Sequence, residues 1–235
     1  MTEQAATTGA GAEPAATARG AQTRQLILDT ALRMFKEHGY AATSMRAVAR
    51  EAGVAVGNAY YYFPSKEHLI LRFYDDVQAE HRAAAAPVLA GSTEFADRLA
   101  GVLHAGVDTN APYHAFATSF FKVAADPDSP LSPFSAESAG ARQASIALFA
   151  EALDGSTIKV DAQLREELPE LMWLAYMGVI LFWVHDRSPG QRKTYLLIDR
   201  AAPLLARLIT MSRLPVLRPL IREALDLLRH LRHRT

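Results

Sequence analysis

The chain contains no cysteine, so disulfides, thiolate metal sites and cysteine nucleophiles are excluded together. It also lacks a charge excess, because 25 Lys and Arg balance 25 Asp and Glu. A uniformly basic coat for nucleic acid is therefore excluded, although local patches of opposite sign are not. Long apolar runs are missing too. The longest, residues 171–184 (LMWLAYMGVILFWV), falls short of the about 20 residues that a membrane span requires. It predicts a buried core or interface helix, and no membrane partner is expected. Residues 1–22 hold no apolar stretch and one cation, Arg19, which is not the pattern of a secretory leader. They read as a flexible tail on a protein expected to be cytoplasmic. Catalytic arrangements are absent as well: there is no Gly-rich phosphate loop, no paired-carboxylate motif and no activated nucleophile. His185 and Asp186 are adjacent, so on a helix their side chains diverge by about 100° and make a poor catalytic pair. The chain is expected not to be an enzyme and to need no cofactor or metal.

What is present is helical periodicity. Half of the 235 residues are hydrophobic, enough for a sizeable core in one large or two small domains. Leu26, Ile27, Ala31, Met34, Phe35 and His38 recur at three- and four-residue steps and form one helix face, which Gly39 closes. Thr43 or Ser44 caps a short helix ending near Ala52, and a second short helix spans about 55–62. A longer helix begins after Ser65, and Pro87 with Gly91-Ser92 falls in a gap. Further helices are expected at about 137–153, 161–185 and 191–213, with a kink at Pro203, and a basic amphipathic helix at about 216–232. No strand alternation or repeat period is visible, so the fold class is all-α.

Charge divides along this series. Residues 24–74 carry seven basic and four acidic residues, whereas residues 75–212 carry 11 basic and 17 acidic. A basic head thus precedes an acidic body, which suggests a nucleic-acid-binding unit on a body with another task. Within the head, residues 45–64 read MRAVAREAGVAVGNAYYYFP. Two short helices meet at Gly53, with Val48, Ala49, Ala52, Val54 and Ala59 as internal contacts. This is the pattern of a helix-turn-helix, although spacing alone leaves an ordinary helical hairpin open.

The flanking residues narrow the choice. Phe35 to Ser44 supplies F-x-x-x-G-Y-x-x-T-S, residues 52–54 read AGV, and Gly57 to Glu67 supplies G-x-x-Y-x-Y-F-x-S-K-E. With these, residues 23–77 resemble the N-terminal domain of the tetracycline-repressor (TetR) family of bacterial transcriptional regulators. The resemblance covers about a quarter of the chain. It implies a three-helix DNA-binding domain at 23–77 that ends in the start of a linking helix. It also implies a helical ligand-binding and dimerisation domain at 78–235. The expected partners are double-stranded operator DNA, a small-molecule effector and a second copy of the chain. The expected function is a ligand-responsive repressor on a palindromic operator; a helical-fold enzyme and a nonspecific architectural DNA-binding protein are the alternatives.

Several side chains are candidates for DNA contact. Thr43 and Ser44 at a helix N-terminus suit phosphate or simple capping. By the resemblance, Gly57 permits close backbone approach, Tyr60 and Tyr61 face DNA, Tyr62 touches the backbone or braces the helices, and Lys66 contacts phosphate. This chain departs from the usual family pattern at Ala55, Val56, Asn58 and Ala59. Val56 can meet a thymine methyl but cannot hydrogen-bond a base edge, Asn58 can meet phosphate or adenine, and Arg46 can reach phosphate or guanine.

The body is rich in aromatic residues. His104, Tyr113, Phe116, Phe120, Trp173, Tyr176 and Met177 are candidates to line an effector pocket, with His114 and His185 as further polar groups. His104 and Asp108, four apart, suggest a salt-bridged pair rather than a metal site, since no third ligand is spaced beside them. Helices on either side of Ser188-Pro189-Gly190 are expected to form a four-helix dimer seam, with Leu197, Ala201, Leu204, Leu205 and Leu208 on the second.

Overall fold

In the computed structural model, residues 12–214 are described, together with the isolated positions 216, 219, 223 and 230. Apart from those isolated positions, the basic helix expected at 216–232 and the first 11 residues of the expected tail thus lie outside the described residues. Every regular element among the described residues is helical: α1 (Ala12–His38), α2 (Met45–Glu51), α3 (Val56–Tyr62), α4 (Lys66–Gly91), α5 (Phe95–Asn110), α6 (His114–Ala124), α7 (Ala139–Asp154), α8 (Ala162–His185) and α9 (Arg192–Met211). The chain divides into two compact units, with the boundary between Phe73 and Tyr74, inside α4.

The head is built on α1, α2 and α3, which pack on one another. Ile27, Ala31 and Phe35 of α1 are fully buried, as the periodicity requires, together with Val48, Ala49 and Ala59. Gly39 ends α1 at φ 84°, and Gly53 turns the chain between α2 and α3 at φ 67°. Only glycine adopts that conformation without strain. Two expectations change here. Helix α1 starts at Ala12, so residues 12–22 are helical rather than tail. Alanine supplies five of these eleven residues, and its helix propensity carries the helix upstream past Gly20. Helix α4 also runs through Pro87 to Gly91. Proline removes one hydrogen bond, but Ala85 and Leu89 on either side of it are held in the core.

In the body, α5 packs on α7 and α9, and α8 packs on α7 and α9. The core gathers Leu99, Val102 and Leu103 of α5, Leu148 and Phe149 of α7, and Trp173, Tyr176 and Trp183 of α8. Helix α8 is long and apolar enough to cross a membrane, but Met172, Trp173, Tyr176, Val179 and Trp183 are buried against protein. Pro169 and Pro203 lie inside α8 and α9, which continue past them.

Asp186 locks the connection between these last two helices. It is 5% exposed. Its Oδ1 accepts from Ser188 N (2.9 Å) and Oγ (2.7 Å), and its Oδ2 accepts from Thr194 N and Oγ1, both at 2.9 Å. Burial alone would raise its pKa, but these four donors outweigh burial and bring it from 3.8 to about 2. A depressed carboxylate stabilises the fold fully above its unfolded value and ceases to do so as pH falls through the folded value. Asp186→Asn is therefore expected to lower the melting temperature at pH 7, and the gap to wild type should close between about pH 4 and pH 2. Thermal unfolding followed across that range checks it; a gap that stays constant would contradict the assignment.

Candidate functional site

Seven-residue α3 presents a continuous outer face. Its inner side is anchored by Ala59, at 0% exposure, and by Phe63 just beyond it. Val56, Gly57, Asn58, Tyr60 and Tyr61 are exposed, and Tyr61 reaches 80%. Exposed tyrosine and valine side by side on a basic unit are costly to leave in water without a partner. Tyr62 is half-buried and meets Tyr61 edge-on at 5.1 Å. Ala55 caps α3 without a side-chain hydrogen bond, the structural consequence of having no serine there.

Ser44 and Arg46, at the start of α2, are exposed, and Ser44 lines one groove with Tyr60 of α3. Ser44 Oγ accepts from Ala47 N at 3.2 Å and is the cap of α2. The expectation for Thr43 is corrected. It is 2% exposed, and its hydroxyl donates to Gly39 O at 2.9 Å and Met34 O at 3.4 Å. The Thr43 hydroxyl ties off the end of α1 and is not available to a phosphate. A shallow groove beside it is lined by Ser44, Tyr60, Pro64, Ser65 and Lys66. Lys66 Nζ donates to Tyr40 O at 2.8 Å and lies 4.3 Å from the Tyr40 ring centroid. Tyr40 in turn donates to Glu67 at 2.9 Å. The lysine charge is thereby held at the start of α4 by the α1–α2 turn, with two of its three N–H donors left for another acceptor.

The expected effector residues separate into groups. Tyr176 is the hub of the first. It is 2% exposed, and a Cβ on Gly106 would stand 2.6 Å from its hydroxyl, so the ring fits because position 106 is glycine. Asn110 Nδ2 donates to that hydroxyl at 3.4 Å, the Phe149 ring lies 5.8 Å away, and the His81 ring lies 5.4 Å away. Trp173 belongs to the same core, with Met177 packed against it and Phe134 edge-on at 5.4 Å. Phe116 and Phe120 form a second group, stacked at 5.1 Å, with Tyr74 edge-on to Phe120. Tyr113, half-buried, closes the turn that precedes α6.

His104 joins neither group, and the His104–Asp108 pair is not made. His104 Nε2 lies 2.8 Å from Asp199 Oδ1, its ring stacks on Tyr195 at 5.4 Å, and Tyr195 donates to Asp108. Neighbours on one face of α5 each reach across to α9 because helix packing brings those partners closer than the next turn does. His114 and His185 bond the carbonyls of Trp183 and Leu181. No group of three or more His, Asp or Glu suited to a metal ion occurs among the described residues.

His81 is the residue that sequence reasoning missed. It is fully buried; Nε2 lies 2.8 Å from Val102 O, and Nδ1 has no partner among the described residues. Since a carbonyl accepts, the imidazole carries its proton on Nε2 and presents a bare lone pair at Nδ1. Burial lowers its pKa against the opposing pull of the Val102 carbonyl, which keeps the ring neutral. The signal was in the sequence: Phe73, Val77 and His81 follow at four-residue steps on the buried face of α4.

The comparisons with known proteins agree with this geometry. Residues 27–73 match the family model "Bacterial regulatory proteins, tetR family", and residues 98–227 match "Tetracyclin repressor-like, C-terminal domain", which alone spans more than half of the chain. The chain belongs to the TetR family. Among curated relatives, the HTH-type transcriptional repressor KstR of Mycolicibacterium smegmatis is 44% identical over 78 residues, covering 32% of this chain and 37% of that protein. The match thus spans little more than a third of that relative. The fold resembles Bacillus subtilis FadR in complex with stearoyl-CoA, with a TM-score of 0.60 and 17% identity, over 77% of this chain and 97% of that one. It also resembles Thermus thermophilus FadR in complex with lauroyl-CoA, with a TM-score of 0.56 and 20% identity, over 80% and 95% of the two chains.

Proposed function

We propose that this TetR-family chain is a ligand-responsive transcriptional repressor. It acts in the bacterial cytoplasm as a homodimer on a palindromic operator, without catalysis of its own. The observation that carries the reading is the outer face of α3, where Val56, Asn58, Tyr60 and Tyr61 stand exposed in a unit that also carries Arg46 and Lys66. One seven-residue helix reads few bases, so specificity requires two heads on successive major-groove faces about 34–36 Å apart. The body supplies a surface for pairing: Leu174, Leu181 and Phe182 of α8 and Leu196, Leu197, Leu204, Leu208 and Met211 of α9 are all exposed. Ala201 and Leu205 lie half-buried along the same helix. The effector is read as a mostly apolar molecule whose polar group meets His81 Nδ1 and the Tyr176 hydroxyl. It favours one arrangement of the dimer by binding it more tightly.

The test is DNA affinity as a function of salt, on a selected sequence and on a random duplex of equal length. Lys66→Ala is expected to weaken binding to both alike and to lower the salt slope by about 1 per half-site. Asn58→Ala is expected to change the ratio between the two sequences, since an amide can pair with an adenine edge. Equal loss on both sequences would remove Asn58 from base reading. Lauroyl-CoA serves as the first effector probe, with release of bound DNA as the readout.

A further inference from the structure

The family domain begins at residue 27, yet α1 begins at Ala12. Residues 12–26 therefore add roughly 22 Å of helix ahead of the matched domain, at 1.5 Å per residue. This addition does not stand away from the head. A Cβ on Gly20 would lie 3.5 Å from the Tyr62 hydroxyl, an ordinary contact, and one turn later the Arg24 guanidinium lies 5.5 Å from the Phe63 ring centroid. Positions 20 and 24 share one helix face, so that face runs along the C-terminal end of α3. Tyr62 also touches Tyr61, which is 80% exposed. The added helix is thus contiguous with the DNA-facing tyrosines.

Its charge is of one sign where it matters. Between Glu13 and Asp29 there is no acidic residue, while Arg19 and Arg24 are both present and exposed. Neither guanidinium has an ion pair among the described residues. Exposed arginines beside a recognition helix, without carboxylates to neutralise them, suit the phosphate backbone that borders the groove. We propose that residues 12–26 form an accessory DNA-backbone contact, with Arg19 and Arg24 reaching phosphates flanking the bases read by α3. The inference rests on the reading of α3 as the DNA-reading helix and extends the footprint beyond the family domain. It adds affinity and salt dependence, not sequence preference, because phosphate is the same at every step.

The experiment uses the full chain with Arg19→Gln and Arg24→Gln together, which remove charge while keeping polar stems. Binding is measured from about 50 to 200 mM salt on the selected sequence and on random duplex. The salt slope is expected to fall by about 0.9 for each arginine in each head, with the ratio of the two affinities unchanged. Arg165→Gln, in the body beside Asp154, should leave both unchanged. An unaltered slope in a double variant that binds would overturn the accessory contact and leave the DNA reading intact. A lower melting temperature with an unaltered slope would reduce Arg24 to a brace on Phe63 and likewise overturn it. If the unchanged protein binds neither duplex, the DNA reading and this inference fall together.

Discussion

Replacing Arg98 by methionine is expected to destabilise the body by about 3–5 kcal/mol, because several carbonyls lose a charged donor at about 1–3 kcal/mol each. Arg98 is 4% exposed and is the buried cation of α5. Its Nε donates to Ala152 O at 2.8 Å, Nη2 to Glu151 O at 2.7 Å, and Nη1 to Ser92 O at 2.8 Å and to Leu89 O. These carbonyls belong to the ends of α4 and α7, where helices leave acceptors unsatisfied and partial negative charge accumulates. One planar fork satisfies both ends and neutralises both dipoles. Methionine fills much of the volume but takes a donor from each of the four carbonyls, of which Glu151 O keeps Gly155 N at 3.1 Å. Lysine is expected to recover little, because a point ammonium cannot reach two helix ends in one plane. Gly155→Ala should show a similar defect from the other side, since its Cβ would stand 2.7 Å from Arg98 Cζ. Trp173 and Trp183 are the two tryptophans, and both lie in the body, so urea unfolding followed by tryptophan emission reports on this unit. A loss below about 1 kcal/mol would contradict the assigned role.

A second large effect is expected at the apolar face of α9. Leu204 and Leu208 are 56% and 53% exposed and sit one turn apart, with Leu197 and Met211 on the same helix. Apolar area of this extent, left outside the core that gathers Trp173, Tyr176 and Trp183, marks an interface. In a two-fold pairing each substitution appears twice, so Leu204→Glu with Leu208→Glu places four carboxylates in one seam. The expected result is a monomer at micromolar concentration with its helical content intact. Affinity for a palindrome should fall by about a hundredfold or more, and affinity for a half-site should change little. Sedimentation of the variant decides it; a dimer that persists would move the interface elsewhere.

The features that were legible in the sequence share a cause, and so do the ones that were not. Helix periodicity and the glycines at 39 and 53 report local geometry, and both short helices of the head lie where those signals placed them. Residues whose role depends on a distant partner were read less well. Thr43 and Ser44 look equivalent as caps, yet folding turns Thr43 back onto Gly39 and Met34 and leaves Ser44 to cap α2. His104 and Asp108 are neighbours in a helical reading, but α9 supplies each with a nearer partner, Asp199 and Tyr195. The prolines misled in the same way: Pro87 marks a break by local rules, and the core on both sides of it carries α4 onward. Arg98 and Asp186 gave no signal at all, because what makes them structural is a set of backbone groups that converge only in the fold.

The central claim is sequence-specific DNA binding by α3 in a paired protein. Selection of genomic DNA fragments by the purified, refolded protein, freed of small molecules, at about 150 mM salt tests it most directly. The account predicts enrichment of a palindrome whose half-sites lie about one helical turn apart, at 10–10.5 base pairs or a multiple of it. A folded dimer that recovers no sequence above background would contradict it.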